Sequence, residues 1–337
     1  MGATLTLPQR SRGRQSAEAQ ARYDADLADF CAAICEIRSR LDFAVSSRGW
    51  AYILEEHGLG KGDFDAAERL IVACRKSGDL PLDICAEDNA RAANHLERLD
   101  YGTAESEAAW IVDSVGRRHL YYTPFSFWEG QHCYVEMLVE KVDLKSLFSR
   151  DCGRYHIPLT NGRGWTDLNS RAAMMRRFAA WQAKGKRCVL LYCGDHDPVG
   201  LVISEFIRSN MAELEAAVGW APENLIIDRF GLNFDFIEQQ DLTWIERLET
   251  GSGKDLADPR HADHRKPYVQ DYLRRFGPRK VEANALVVRP EAGRELCRQA
   301  ILRYLPEDAP AQYQATLEPE RERVRLEVIR LLAEGRP

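Results

Sequence analysis

Residues 188–193 read Cys-Val-Leu-Leu-Tyr-Cys, and the next five are Gly-Asp-His-Asp-Pro. Six apolar residues without a polar break make a short strand with no side that suits water, so both of its faces must be covered. Strands of that kind belong to mainly parallel sheets flanked by helices. The neighbouring segments repeat the pattern. Residues 134–139 form a second apolar strand, interrupted by Glu136, and 155–159 and 224–229 read as further strands. Between them, 142–148, 168–183 and 200–215 have helical spacing, and Asn161-Gly162-Arg163-Gly164 is a glycine-rich loop. Strands alternating with helices predict an α/β domain over 126–310.

The first third of the chain reads differently. Leu27, Phe30, Cys31, Ile34 and Ile37 recur at helical spacing over 23–40. Ser46 or Ser47 suits the N-cap of a second helix through Trp50, Tyr52, Ile53 and Leu54, ending at Gly58. A third helix is expected over 63–76, stopped by Gly78, with Leu80-Pro81-Leu82 turning into a short wing. Thr103 suits the cap of a further helix to Val115, and aromatic residues crowd 119–128. Three short helices and a wing predict a winged helix-turn-helix module over 23–125, an α+β unit ahead of the sheet. Residues 1–22, with Arg10, Arg12, Arg14 and Arg22 against Glu18, read as a flexible basic arm. The C-terminal segment, 311–337, reads as a charged helix over about 319–332, with Pro319 at its first position.

Charge limits the function. The 337 residues carry 46 Lys and Arg against 52 Asp and Glu, a formal charge of −6. That excludes a protein coating nucleic acid through bulk positive charge and leaves a local basic groove. Arg75-Lys76, Arg91, Arg171, Arg176-Arg177 and the stretch 184–187 are the candidate patches. No window approaches the roughly 18 apolar residues of a membrane span, and the N-terminus has no apolar leader. The nine cysteines form no CxxC pair, which fits free thiols in a cytoplasmic protein. Neither GxxxxGK[ST] nor GxGxxG occurs in a strand-helix context, so no ATP site is expected.

Ligands of open parallel sheets gather at the carboxyl ends of strands. Asp195 and Asp197 stand there, fixed by a glycine and a proline, and two such carboxylates can flank a hard cation. Asp197 equally suits an N-cap for the helix that follows. Glu140 ends the strand 134–139 and lies 55 residues before Asp195, room for one strand-helix-strand passage. Glu136, on the same strand, is a reserve ligand.

A Glu ending the first strand and an Asp-x-Asp ending a later one resembles the Toprim pattern of topoisomerases and related nucleases. SSRGWAYILEEHGLGKGDFDAAERLIVACRKSGDLPLDICAEDNAR (46–91) resembles the winged-helix module shared by the DNA-cutting subunit of topoisomerase VI and the meiotic double-strand-break proteins. RFGLNFDFIEQQDL (229–242) and FGPRKVEANAL (276–286) resemble later Toprim segments of that family. The likeness spans about residues 23–305 and is strongest to compact bacterial and mobile-element members, with the nuclease of plasmid-defence systems more distant. It implies Mg²⁺ held by Glu140, Asp195 and Asp197, with Glu140 also acting in acid-base chemistry. It implies Tyr52 as nucleophile with Arg48 beside it, although Gly49 and Ala51 stand where the family has bulkier or polar residues. A core tyrosine remains the other reading of Tyr52, and an ordinary solvated lysine the other reading of Lys141. Arg48, Arg75, Lys76, Arg91 and Lys141 become candidate contacts to double-stranded DNA. The likeness further implies a homodimer and a separate ATPase subunit. Three functions stay open: a type IIB topoisomerase-like enzyme cutting DNA by tyrosine transesterification, a metal-dependent endonuclease using water, and a non-catalytic DNA-binding assembly module.

Overall fold

The computed structural model describes residues 5–10, 16–86, 102–162, 167–249 and 255–334. Its centre is a four-stranded, all-parallel sheet in the order β2-β1-β3-β4, with β1 Cys133–Val139, β2 Leu159–Asn161, β3 Arg187–Cys193 and β4 Ile226–Gly231. The chain is α/β, as the alternation requires. β1 and β3 pair over their whole lengths, from Cys133 opposite Arg187 to Val139 opposite Cys193. Every residue of β1 is buried, and all of β3 except Arg187.

Ahead of the sheet lie α1 Ala17–Ser39, α2 Ser47–Glu56, α3 Phe64–Ser77 and α4 Ala104–Arg117. Among and after the strands come α5 Val142–Arg154, α6 Leu168–Ala183, α7 Pro198–Leu201, α8 Ile203–Ala212, α9 Glu215–Val218 and α10 Phe234–Gln239. The chain closes with α11 Pro267–Phe276, α12 Pro290–Leu302 and α13 Ala309–Ala333. α5 and α12 pack together against β1, β2 and β4, while α6 and α8 pack together against β3 and β4. These helices supply the cover that two-sided apolar strands demand.

One core runs from Phe30, Ile34, Trp50 and Tyr52 in the N-terminal helices through Leu138 and Leu190 in the sheet to Ile301 in α12. α2 lies directly on the turn Ala283–Val288. The boundary expected near residue 125 is therefore not a break in the core. A smaller cluster joins Val269, Tyr272 and Phe276 of α11 to Leu248 and Leu256. No helix among the described residues is long and apolar enough to cross a membrane. All nine cysteines are free thiols, and only Cys35 is exposed.

Several boundaries differ from the sequence reading. Residues 17–22 of the expected basic arm belong to α1, because Ser16 caps the helix by accepting from the Ala19 N–H at 3.1 Å. Residues 5–10 are docked: the Leu5 N–H donates to the His57 carbonyl at 2.8 Å, and the Arg10 guanidinium lies over the Tyr23 ring. Where a wing was expected, the described residues between α3 and α4 contain no strand. The segment after Leu80 forms a single 3-10 turn, Leu82–Ile84, and residues 87–101 lie outside the described residues. Tyr155 ends α5 rather than starting a strand, since its ring is buried and its hydroxyl reaches the Glu307 carbonyl at 3.2 Å. The helix expected over 200–215 is broken into α7, α8 and α9. Pro319 lies inside α13, whose first turn carries Pro310 instead.

Candidate functional site

The acidic edge is set by the register of the two central strands. Val139 and Cys193 are partners, so Glu140 and Gly194 leave the sheet side by side. The Glu140 N–H donates to the Cys193 carbonyl at 3.0 Å. The Asp195 N–H then donates to Glu140 Oε2 at 2.9 Å, and the Tyr192 hydroxyl donates to the same oxygen at 3.2 Å. A methyl group on Gly194 would lie 2.3 Å from the Tyr192 hydroxyl oxygen and 2.5 Å from Glu140 Oε2, so only glycine allows this approach.

The Lys141 ammonium sits between the two acids, 2.8 Å from Asp195 Oδ2 and 3.1 Å from Glu140 Oε1. Asp195 Oδ1 accepts the Ala283 N–H at 2.8 Å. Burial pushes the Asp195 carboxyl up, and the Glu140 charge adds to the rise, to about 7. Burial also acts upward on Glu140, but Lys141 and the Asp195 N–H outweigh it and hold that carboxyl below its ordinary value. Burial opposes the Lys141 charge, yet Asp195 and Glu140 together raise its pKa. Asp197 takes the N-cap role: its Oδ1 accepts the Gly200 N–H at 2.6 Å at the start of α7. Among the described residues no group of three His, Cys, Asp or Glu converges to hold a metal. Glu140 and Asp195 are thus brought to one point, while Asp197 stands beside it engaged with the helix.

For Mg²⁺ the donor chemistry fits in part. Two hard carboxylate oxygens already converge on one positive charge, the Lys141 ammonium. Asp197 gives one oxygen, Oδ1, to the Gly200 N–H and stands outside the pair that meets on Lys141. Glu136, the reserve ligand, is 0% exposed and points elsewhere. It accepts Arg177 Nε at 2.9 Å and Nη2 at 2.7 Å and the Tyr134 hydroxyl at 2.9 Å, a structural pair on the sheet.

α2 brings the second group of residues. Ser46 caps it, accepting the Gly49 N–H at 3.1 Å, and the Ser46 hydroxyl donates to Asp143 Oδ2 of α5 at 2.5 Å. The Ser46 N–H and the Asn284 amide also donate to buried Asp143. A methyl group on Gly49 would lie 2.6 Å from Val45 Cγ1 and 3.1 Å from the Asp143 carboxyl, which explains the small residue here. Arg48 donates from Nε to Glu282 Oε2 at 3.0 Å and from Nη1 to Glu68 Oε1 at 3.0 Å. Tyr52 is 0% exposed, packs edge-on against Phe64, and donates its hydroxyl to Glu282 Oε2 at 3.1 Å. Burial, then the Glu282 charge, raises the Tyr52 pKa. Burial acts upward on Glu282, but Arg48 and Lys280 hold it low. The phenol is thus buried and held on a charged carboxylate, out of reach of a phosphate in the cleft unless the cluster opens.

Between α2, α3 and the sheet edge opens a cleft of about 640 Å³, lined in part by Arg48, Arg75, Glu68, Glu140, Lys141 and Asn161. Four of the expected residues therefore share one cavity. Arg48 also lines a second cleft of about 410 Å³ with Lys61, Trp244, Lys280 and Glu282. Arg75 is partly engaged, donating twice to the Leu82 carbonyl. Lys76 is exposed at the end of α3 and lines neither cleft. Arg91 lies outside the described residues. Of the remaining basic patches, Arg171 donates to the Asn210 carbonyl and Lys186 to the carbonyls of Glu129 and Gln131.

Glu282, Asn284, Asp143 and Glu68 had no assigned role in the sequence. Glu282 and Asn284 fall inside FGPRKVEANAL, so the string itself was the available signal. Asp143 and Glu68 lie within α5 and α3, and nothing in the local sequence sets them apart. Compared with protein-family models, curated proteins and solved structures, the chain finds no match.

Proposed function

We propose that this chain is a Mg²⁺-dependent enzyme that cuts DNA phosphodiesters with water at the cleft between α2, α3 and the sheet edge. The observation that carries the reading is the convergence of Glu140 and Asp195 on one cation position, at the wall of a cavity that also holds Arg48 and Arg75. The resemblance to Toprim nucleases and to the DNA-cutting subunit of topoisomerase VI supplies the substrate class, and homodimerisation and a cytoplasmic location belong to the same proposal. Lys141, Arg48 and Arg75 would bind and orient the phosphate by charge, and such contacts position a backbone without reading its sequence. A Mg²⁺ ion bound at Glu140 and Asp195 would supply neutralisation of charge at the scissile phosphate. The complete burial of Tyr52, with its hydroxyl on Glu282, favours water over the phenol as the attacking group.

A second reading keeps tyrosine transesterification, with a separate ATPase subunit for strand passage. It is favoured by Arg48 and Tyr52 meeting on one carboxylate, Glu282. It requires that cluster to open, so that the phenol can reach a phosphate.

Supercoiled plasmid incubated with the protein and Mg²⁺, then run on denaturing gels with and without protease, separates the readings. Hydrolysis predicts nicked or linear DNA whose mobility protease does not change, with Tyr52→Phe cutting within about threefold of the wild type. A protease-sensitive adduct that Tyr52→Phe abolishes would establish the second reading. If Glu140→Gln and Asp195→Asn act like the wild type in a cell-based assay while DNA binding persists, both enzyme readings fail and the assembly-module reading stands.

A further inference from the structure

We propose that the Lys141 ammonium is a built-in occupant of the cation position, which a divalent ion must displace and which then turns to the substrate phosphate. The inference rests on the metal-dependent reading above and concerns how that same site is loaded.

The oxygens of Glu140 and Asp195 are divided by function. Asp195 Oδ1 is taken by the Ala283 N–H, and Glu140 Oε2 by the Asp195 N–H and the Tyr192 hydroxyl. The two oxygens left to face each other are Asp195 Oδ2 and Glu140 Oε1, and both lie on Lys141 Nζ. An ion binding this pair competes with the lysine for the same two atoms. Sharing is disfavoured by size and charge. Mg²⁺ sits about 2.1 Å from its oxygens, closer than an ammonium, and the two cations repel.

The lysine is placed to leave. Its backbone is fixed as the N-cap of α5, but its side chain is 26% exposed and lines the 640 Å³ cleft beside Arg48 and Arg75. A short turn of the stem carries the ammonium from the carboxylates into the cavity where the phosphate would lie. Two consequences follow from competition alone. The apparent affinity for the ion is lowered by the fraction of time the lysine holds the oxygens. By reciprocity, the ion raises the fraction of time the ammonium is free. An empty site would therefore keep Lys141 away from DNA, and a loaded one would present it.

The test titrates Mn²⁺ alone into the full chain by calorimetry at pH 8, without DNA. Lys141→Met and Lys141→Gln, which remove the competing charge, are expected to bind at least fivefold more tightly than the wild type. Lys141→Arg, which keeps the charge, is expected to stay within about twofold. The two neutral variants guard against one failing to fold. Adding Glu140→Gln to Lys141→Met must abolish the gain, and a gain that survives places the ion elsewhere and overturns the proposal. If the wild type binds Mn²⁺ and both neutral variants bind equally or more weakly, the proposal is overturned while the metal-dependent reading stands. If no chain binds Mn²⁺, both fall together.

Discussion

Asp195 is the residue whose chemistry depends most on its surroundings. Burial and Glu140 raise its carboxyl to about 7, and a cation needs it deprotonated. Cation binding must then expel a proton below that pH. The affinity for Mn²⁺ is expected to rise up to tenfold per pH unit from pH 5.5 to 7 and to level off above, as calorimetry at a series of pH values would show. Thermal stability is a poorer readout, for a reason of sign. A carboxyl raised in the fold contributes stability at acid pH that is lost as pH climbs through its folded value. Its neighbour His196 is held down to about 4, chiefly by burial, so its contribution is lost as pH falls from 6.5 toward 4. The two run in opposite directions over overlapping windows, so a stability profile mixes them.

At the scale of elements, the site depends on one tight turn between β3 and α7. Gly200 lies against the Asp195 carbonyl: a methyl group there would be 2.1 Å from that oxygen. The obstacle is backbone, so no side chain can swing away to relieve it. Arg229 of β4 ties this turn to the end of its own strand, donating to the carbonyls of Gly200 at 2.7 Å, Asp195 at 3.4 Å and Leu232 at 2.6 Å. Gly200→Ala is expected to lower plasmid cleavage at least a hundredfold and Mn²⁺ affinity at least tenfold. Its circular dichroism should stay that of a folded α/β chain, because the displaced segment is short. Retained wild-type affinity would mean that the turn does not set the acids.

Across the whole molecule, the net charge of −6 must be reconciled with a polyanionic substrate. Three basic side chains, Arg48, Arg75 and Lys141, line the main cleft, and Glu68 and Glu140 line it too. Three phosphate contacts predict a slope of about −3 in log affinity against log salt concentration. Arg75→Ala is expected to reduce that slope by about 1 in fluorescence anisotropy with a short duplex. A slope near zero would remove the cleft as a DNA site. The continuous core makes the N-terminal helices and the sheet one packing unit, so the cleft walls are held by shared apolar contacts rather than by a linker.

The sequence alone determined what depends on local pattern. Short apolar runs bounded by turn residues mark covered strands, period-3.6 spacing marks the helices between them, and a glycine-bounded acidic turn ends β3. Ser46, Thr103, Gly58 and Gly78 announced helix ends because capping is a matter of a few neighbouring residues. The tertiary structure decided what depends on residues distant in the chain. It buried Tyr52 against Glu282, spent Glu136 on Arg177, tied Asp143 to the start of α2, and set Lys141 between the two acids. Pattern fixes which side of an element is buried. Only packing fixes which charged group finds which partner, and that pairing decides whether a carboxylate or a phenol is free to do chemistry.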